Sequence, residues 1–179
     1  MRRDGKLFTF GFSQGGHAAL ALHRALQNHH VHVTATVGGV FDVERFFLSA
    51  IADRTTPTLP LYVSYILLAY DDIYDVYGRR SDVFRQPYAS TISSLFDMQH
   101  FFDDVLAGLP PTSRELLTPS YHATVSTNPN TPLRGRLRQN AVDQWRPAAP
   151  IRVYHSPEDE EVFFEDALVS VAQAAKSRR

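Results

Sequence analysis

LFTFGFSQGG, running from Leu7 to Gly16, decides the fold. Its first six residues are apolar, aromatic or β-branched and show no helical period, which predicts a short buried strand over Leu7–Phe12. Ser13 to Gly16 turns the chain. A helix follows from about His17 to Asn28, with Ala18, Ala19, Leu22, Ala25 and Leu26 forming a broad apolar stripe. VHVTATVGG, from Val31 to Gly39, is strongly β-branched and ends in glycines, as a second strand would. Strand, turn, helix and strand in so short a space predict a parallel βαβ unit.

The turn carries the chemistry. A serine hydroxyl is a weak nucleophile until a base takes its proton, and the tetrahedral oxyanion it creates needs donors. G-x-S-x-G between a strand and a helix answers the geometric part. Gly11, Gly15 and the following Gly16 tolerate a sharp turn, and the helix N-terminus directs N–H groups at developing charge. Ser13 is then the nucleophile and the Gln14 N–H one oxyanion donor, with Phe12 and His17 candidates to line the pocket. The competing reading makes Ser13 an ordinary helix cap.

From Phe41 to about Gln144 no β-rich run is evident. VERFFLSAIA, YVSYILLAYDDIYDVY, ASTISSLFDMQHFFDDVLAG and SRELLT carry helix-like spacing, punctuated by prolines, whereas SYHATVSTNPNTPLRGR reads as a long irregular connection. After Trp145, IRVYH (Ile151–His155) predicts a third strand, followed by an acidic loop. A closing amphipathic helix follows, with Phe163, Ala167, Leu168, Val171 and Ala174 sharing a face and basic residues at its end.

Sites in parallel sheets form at the carboxyl ends of the strands, so Asp159, in the loop after the third strand, is the candidate acid. Glu158 is its nearest substitute. Asp42 is a weaker alternative that suits the cap of the next helix. None of the eight histidines presents itself as the base. His23 reads as helix surface, and His29, His30 and His32 lie at the wrong end of a parallel sheet. His100 and His122 fall in the helical stretch, and His155 ends the third strand. Asp97, His100 and Asp104 would share a helix face, but carboxylates beside an apolar stripe are ordinary helix surface, and no metal site or cofactor is expected.

The 179 residues suffice for a substantial core, and a net charge of −1 argues against nucleic acid or an anionic membrane as partner. The absence of cysteine excludes disulfides and thiolate chemistry. LPLYVSYILLAY is too short to span a bilayer, no export signal is visible, and the cytoplasm is the default compartment.

The elbow GFSQGGHAAL and the proline-led strand and acid of WRPAAPIRVYHSPEDEEV resemble the α/β-hydrolase family, particularly lipase- and esterase-like members with prolyl-oligopeptidase-like catalytic domains. The resemblance implies a partial α/β-hydrolase fold of about three parallel strands with a large helical cap insertion. Its divisions would be residues 1–40 (elbow), 41–144 (cap) and 145–179 (acid-bearing strand, loop and helix). It also implies Asp159 as catalytic acid, with Ser156 where glycine is usual, and carboxylic ester hydrolysis through an acyl-enzyme on Ser13, the substrate being a small-molecule ester or acyl compound. The family's histidine follows the acid after one more strand, and earlier strands supply the other oxyanion donor. A C-terminal-side fragment, with impaired turnover and self-association through an uncovered sheet surface, is therefore expected. A peptidase-like hydrolase and a non-catalytic, hydrolase-derived binding protein are the alternatives.

Overall fold

A computed structural model describes residues 5–29, 31–52 and 55–176. His30 and the last three residues of the sequence lie outside them. The chain divides into two compact units, one formed by residues up to Phe46 together with those from Asn140, the other by Phe47–Gln139.

The first unit holds the sheet. Strands β1 (Leu7–Phe12), β2 (Val31–Val37) and β3 (Ile151–Tyr154) are parallel and ordered β1-β2-β3. Phe12 pairs with Val37, and Val37 with Tyr154, so the three carboxyl ends lie side by side. Helix α1 (Gln14–Leu26) follows β1 directly, and α2 (Val43–Ile51) begins after β2. On one side of the sheet, Leu20, Phe41, Val142 and the Ala167 of the closing helix form a buried cluster with Ala21, Ile151 and Val153.

The buried face of α1 is not the predicted one. Gly16, Ala19, Leu20 and His23 are inside, whereas Leu22 is 46% exposed and Ala18 and Ala25 are exposed. The turn fixes this. Gly16 sits so close to β2 and its following loop that a Cβ there would lie 3.0 Å from Gly39 Cα and 3.4 Å from Thr36 Cβ. Residues three, four and seven positions further along must then face the sheet. His23, predicted at the surface, is consequently fully buried. Its Nδ1 bonds the Thr34 hydroxyl at 2.9 Å, Thr34 bonds Thr9, and the Trp145 ring meets the imidazole edge-on with centroids 5.0 Å apart.

The other sheet face is exposed along β1 and half-buried along β2. Phe8, Phe10 and Phe12 alternate outward on the edge strand β1 and are 63%, 71% and 69% exposed. Parallel sheets ordinarily bury both faces.

The second unit is helical: α3 (Leu59–Tyr74), α4 (Arg80–Val83), α5 (Tyr88–Leu95), α6 (Phe102–Ala107), α7 (Ser113–Leu116), α8 (Pro119–Thr127) and α9 (Pro132–Gln139). Leu59, Val63, Leu67, Phe84, Leu116 and Leu133 are among its buried residues. Two expectations are corrected here. The stretch read as an irregular connection forms α8 and α9, each beginning on a proline, which is pre-set for the first helical turn and has no N–H to leave unpaired. The run from Ala89 to Gly108 breaks into α5 and α6, because Asp97 Oδ1 accepts from the Gln99 and His100 amides and from His100 Nδ1, closing a turn. Asp97 and His100 therefore share no helix face with Asp104. The last helix, α10 (Phe164–Lys176), back in the first unit, buries Ala167 and Ser170, while Leu168 and Val171 are 50% and 45% exposed, against the predicted stripe.

Candidate active site

Ser13 is held at φ 51°, ψ −123°, a conformation that costs a non-glycine residue of order 1–3 kcal/mol and persists only where the surroundings enforce it. They do so through the backbone. The Ser13 N–H donates to Val37 O at 2.9 Å, tying the turn to the end of β2, and Gly16 N–H donates to Ser13 O at 2.8 Å. The Ser13 side chain makes no capping bond to α1, so the helix-cap reading fails. Ser13 is half-buried at the carboxyl end of the sheet.

The glycines are unequal. A Cβ on Gly11 would stand 1.8 Å from Gly15 O, and one on Gly16 would press on Gly39, but one on Gly15 would meet nothing within 4 Å. Steric demand therefore falls on Gly11 and Gly16, although the G-x-S-x-G spacing names Gly11 and Gly15. Gln14 is exposed and opens α1, which places its N–H in the first helical turn beside Ser13.

Asp159 lies at the same carboxyl end of the sheet, after β3. Its Oδ1 accepts from Val162 N–H at 2.9 Å and Glu161 N–H at 3.1 Å, and its Oδ2 stands 3.4 Å from where a Cβ on Gly38 would be. Gly38 follows Val37, the residue that accepts from Ser13, and itself donates to Tyr154 O at 3.0 Å. Phe12 reaches the same spot, its Cε2 3.8 Å from that Cβ position. One oxygen of Asp159 is thus gripped by backbone, and the other faces the loop after β2. Glu158 is exposed. Asp42 Oδ1 accepts from Arg45 N–H at 3.0 Å and caps α2.

The histidines divide differently from expectation. His17 Nδ1 is 3.0 Å from Val40 O. Burial lowers its pKa, the Val40 bond opposes this and Arg24 adds to the lowering, so the fold favours the neutral ring. His122 Nε2 is 2.8 Å from Ile51 O within the helical unit. None of the described histidines hydrogen-bonds Ser13. His155, read from sequence as the mere end of a strand, sits beside the acid, its Nε2 3.4 Å from Asp159 Oδ2. The signal available was its position four residues before Asp159, across a proline-containing turn. On the helical side of the sheet, an apolar cleft of about 210 Å³ is lined by Leu20, Phe41, Trp145 and Val171 among others, and neither Ser13 nor Asp159 lines it. No group of three or more metal-ligating side chains occurs among the described residues.

Ser13 thus stands in a strained strand-to-helix turn after β1, and Asp159 follows β3 at the same end of the sheet. The rice cell wall degrading esterase LipA from Xanthomonas oryzae superposes with a TM-score of 0.88 at 26% identity, over 97% of this chain and 48% of that one. The fold is a partial α/β-hydrolase fold. A candidate hydrolase from Legionella pneumophila gives 0.89 at 19% identity over 97% and 48% of the two chains. Candida antarctica lipase A gives 0.69 at 18% over 96% and 41%. The chain thus spans about half the length of the structures it matches. No family profile and no curated protein sequence matches it. Three parallel strands and a large helical insertion were the expected form, and both are present.

Proposed function

We propose that this chain carries the nucleophile and acid of a carboxylic ester hydrolase. Ser13 Oγ attacks the ester carbonyl while an imidazole base takes its proton, and the Gln14 N–H stabilises the oxyanion. The C–O bond to the alcohol breaks as the base returns that proton to the alcohol, and water, deprotonated by the same base, then releases the acid from Ser13. Asp159 orients and stabilises the base in its charged form. The observation that carries this reading is Ser13 itself: a strained, non-capping serine at the carboxyl end of β1. Its likeness to an esterase at 26% identity favours esters over peptides. The division into elbow, cap and acid-bearing segments belongs to the same proposal.

The 179 residues contain no histidine after Asp159, and turnover by this chain alone is expected at least about ten-fold below that of a complete triad enzyme. The test is acyl trapping. With p-nitrophenyl acetate, mass spectrometry of peptides should find acetyl on Ser13, and Ser13→Ala should abolish it. Acetylation confined to other residues, or nitrophenol release unchanged by Ser13→Ala, refutes the proposal.

A second reading, association through the open sheet face, is favoured by Phe8, Phe10 and Phe12. At 63–71% exposure and about 200 Å² per ring, they offer on the order of 400 Å² of apolar surface, as much as the largest patch on a typical monomer. Sedimentation should show concentration-dependent self-association that a Phe8→Ser/Phe10→Ser double variant removes. A monomer at all concentrations excludes this reading.

A further inference from the structure

His155 has no place in the chemistry proposed above, yet it is built into the acid's loop. Its side chain is 3% exposed, so it cannot serve solvent or a surface partner. Its Nε2 lies 2.6 Å from Val162 O. A carbonyl can only accept, so Nε2 carries the proton and donates, and in the neutral ring Nδ1 bears the lone pair. That Nδ1 is buried without a hydrogen bond, so the ring keeps an unsatisfied atom in order to make the Nε2 contact.

Val162 is bonded through both of its backbone groups. Its carbonyl accepts from His155, while its N–H, with that of Glu161, donates to Asp159 Oδ1. The same imidazole nitrogen stands 3.4 Å from Asp159 Oδ2, and the Phe164 ring packs with its centroid 6.0 Å from the imidazole. Strand end, acid and the start of α10 are thereby closed into one ring of contacts. We propose that His155 is a positioning residue: by anchoring Val162 it keeps the two amides on Asp159 Oδ1 and leaves Oδ2 turned towards the loop after β2. The inference rests on Asp159 being the catalytic acid for its meaning, although the geometry it asserts is measurable without turnover.

The test is amide hydrogen exchange on the ¹⁵N-labelled full chain. His155→Phe keeps a ring against Phe164 but removes the donor, and His155→Gln restores an N–H near the same position. The Glu161 and Val162 amides should exchange about ten-fold faster in His155→Phe, the loss expected for one hydrogen bond of about 1.4 kcal/mol, and stay within about threefold of the parent in His155→Gln. The Gly38 amide, bonded to Tyr154 O on the sheet side, should be unmoved. In the parent chain, Asp159→Asn should displace the His155 ring N–H proton resonance. Unchanged exchange in His155→Phe, or Gln behaving as Phe does, overturns the proposal. If His155→Phe does not fold, the Gln variant and the ring resonance decide it: faster exchange in Gln, or a resonance indifferent to Asp159→Asn, counts against it. Failure of Ser13 acetylation with these results intact would remove the hydrolase reading and leave the loop architecture standing.

Discussion

The glycines of the turn allow a sharp prediction, because the sequence motif and the structure rank them differently. Gly15→Ala places a methyl where nothing lies within 4 Å, inside the first turn of α1, at a position without positive φ. Alanine is the better helix former and narrows the unfolded ensemble, so the variant should gain about 0.5–1 kcal/mol. Gly16→Ala brings Cβ to 3.0 Å from Gly39 Cα and 3.4 Å from Thr36 Cβ. Neither neighbour is a flexible side-chain end, so α1 must lift from the sheet by a few tenths of an ångström, at a cost of about 1–3 kcal/mol. Gly11→Ala sets Cβ 1.8 Å from Gly15 O, so backbone must move by more than about 1 Å to restore van der Waals contact, and the turn should not form. Urea unfolding followed through Trp145, the single tryptophan, reads the right place, because its ring packs on His23 of α1. The expected order of midpoints is Gly15→Ala, parent, Gly16→Ala, with Gly11→Ala unfolded without denaturant. A Gly15→Ala variant as damaged as Gly16→Ala would refute the reasoning.

Two further outcomes follow from the packing. Burial lowers the pKa of His23, so the folded state favours the neutral ring. The associated stability is complete above the unfolded value of about 6.5 and is lost as pH falls from there towards the lowered folded value. Thermal melts should decline below about pH 6.5, and His23→Gln should flatten that limb. Thr118 accepts from Tyr121 N–H at 3.3 Å and donates to Asp82 O at 2.7 Å. Thr118→Ala should therefore cost about 1–2 kcal/mol, read by exchange of the α8 amides, while Thr127→Ala on the exposed end of the same helix should cost less.

The strand–turn–helix–strand opening was legible because each of its signals is local: apolar β-branched runs, a glycine-bounded turn and a short connection. β1 falls at Leu7–Phe12 as predicted, and β2 and β3 begin at Val31 and Ile151. Which face of α1 is buried was not legible. Periodicity pointed to the stripe of Ala18, Ala19, Leu22, Ala25 and Leu26, and the close approach of Gly16 to Gly39, two residues far apart in sequence, turned another face inward. The same limitation hid Ser170, buried where Val171 was expected. In the helical unit, Pro119 was read as punctuation between helices, but behind a capping Thr118 it starts one. At the site, the residue types of Ser13 and Asp159 stood out, but the part played by His155 did not, since it depends on a carbonyl seven residues away.

Thr9 and Thr34 are direct partners across β1 and β2, and their hydroxyls, with His23, form a buried polar thread between the sheet and α1. Such a thread acts as a key in a lock of two strands. A slip of one residue would turn the hydroxyls to the phenylalanine face. A slip of two would separate them and displace Ser13 along the sheet by about 6.6 Å. The alignment of Ser13 with Asp159 at one end of the sheet is therefore guarded from within, by three buried side chains.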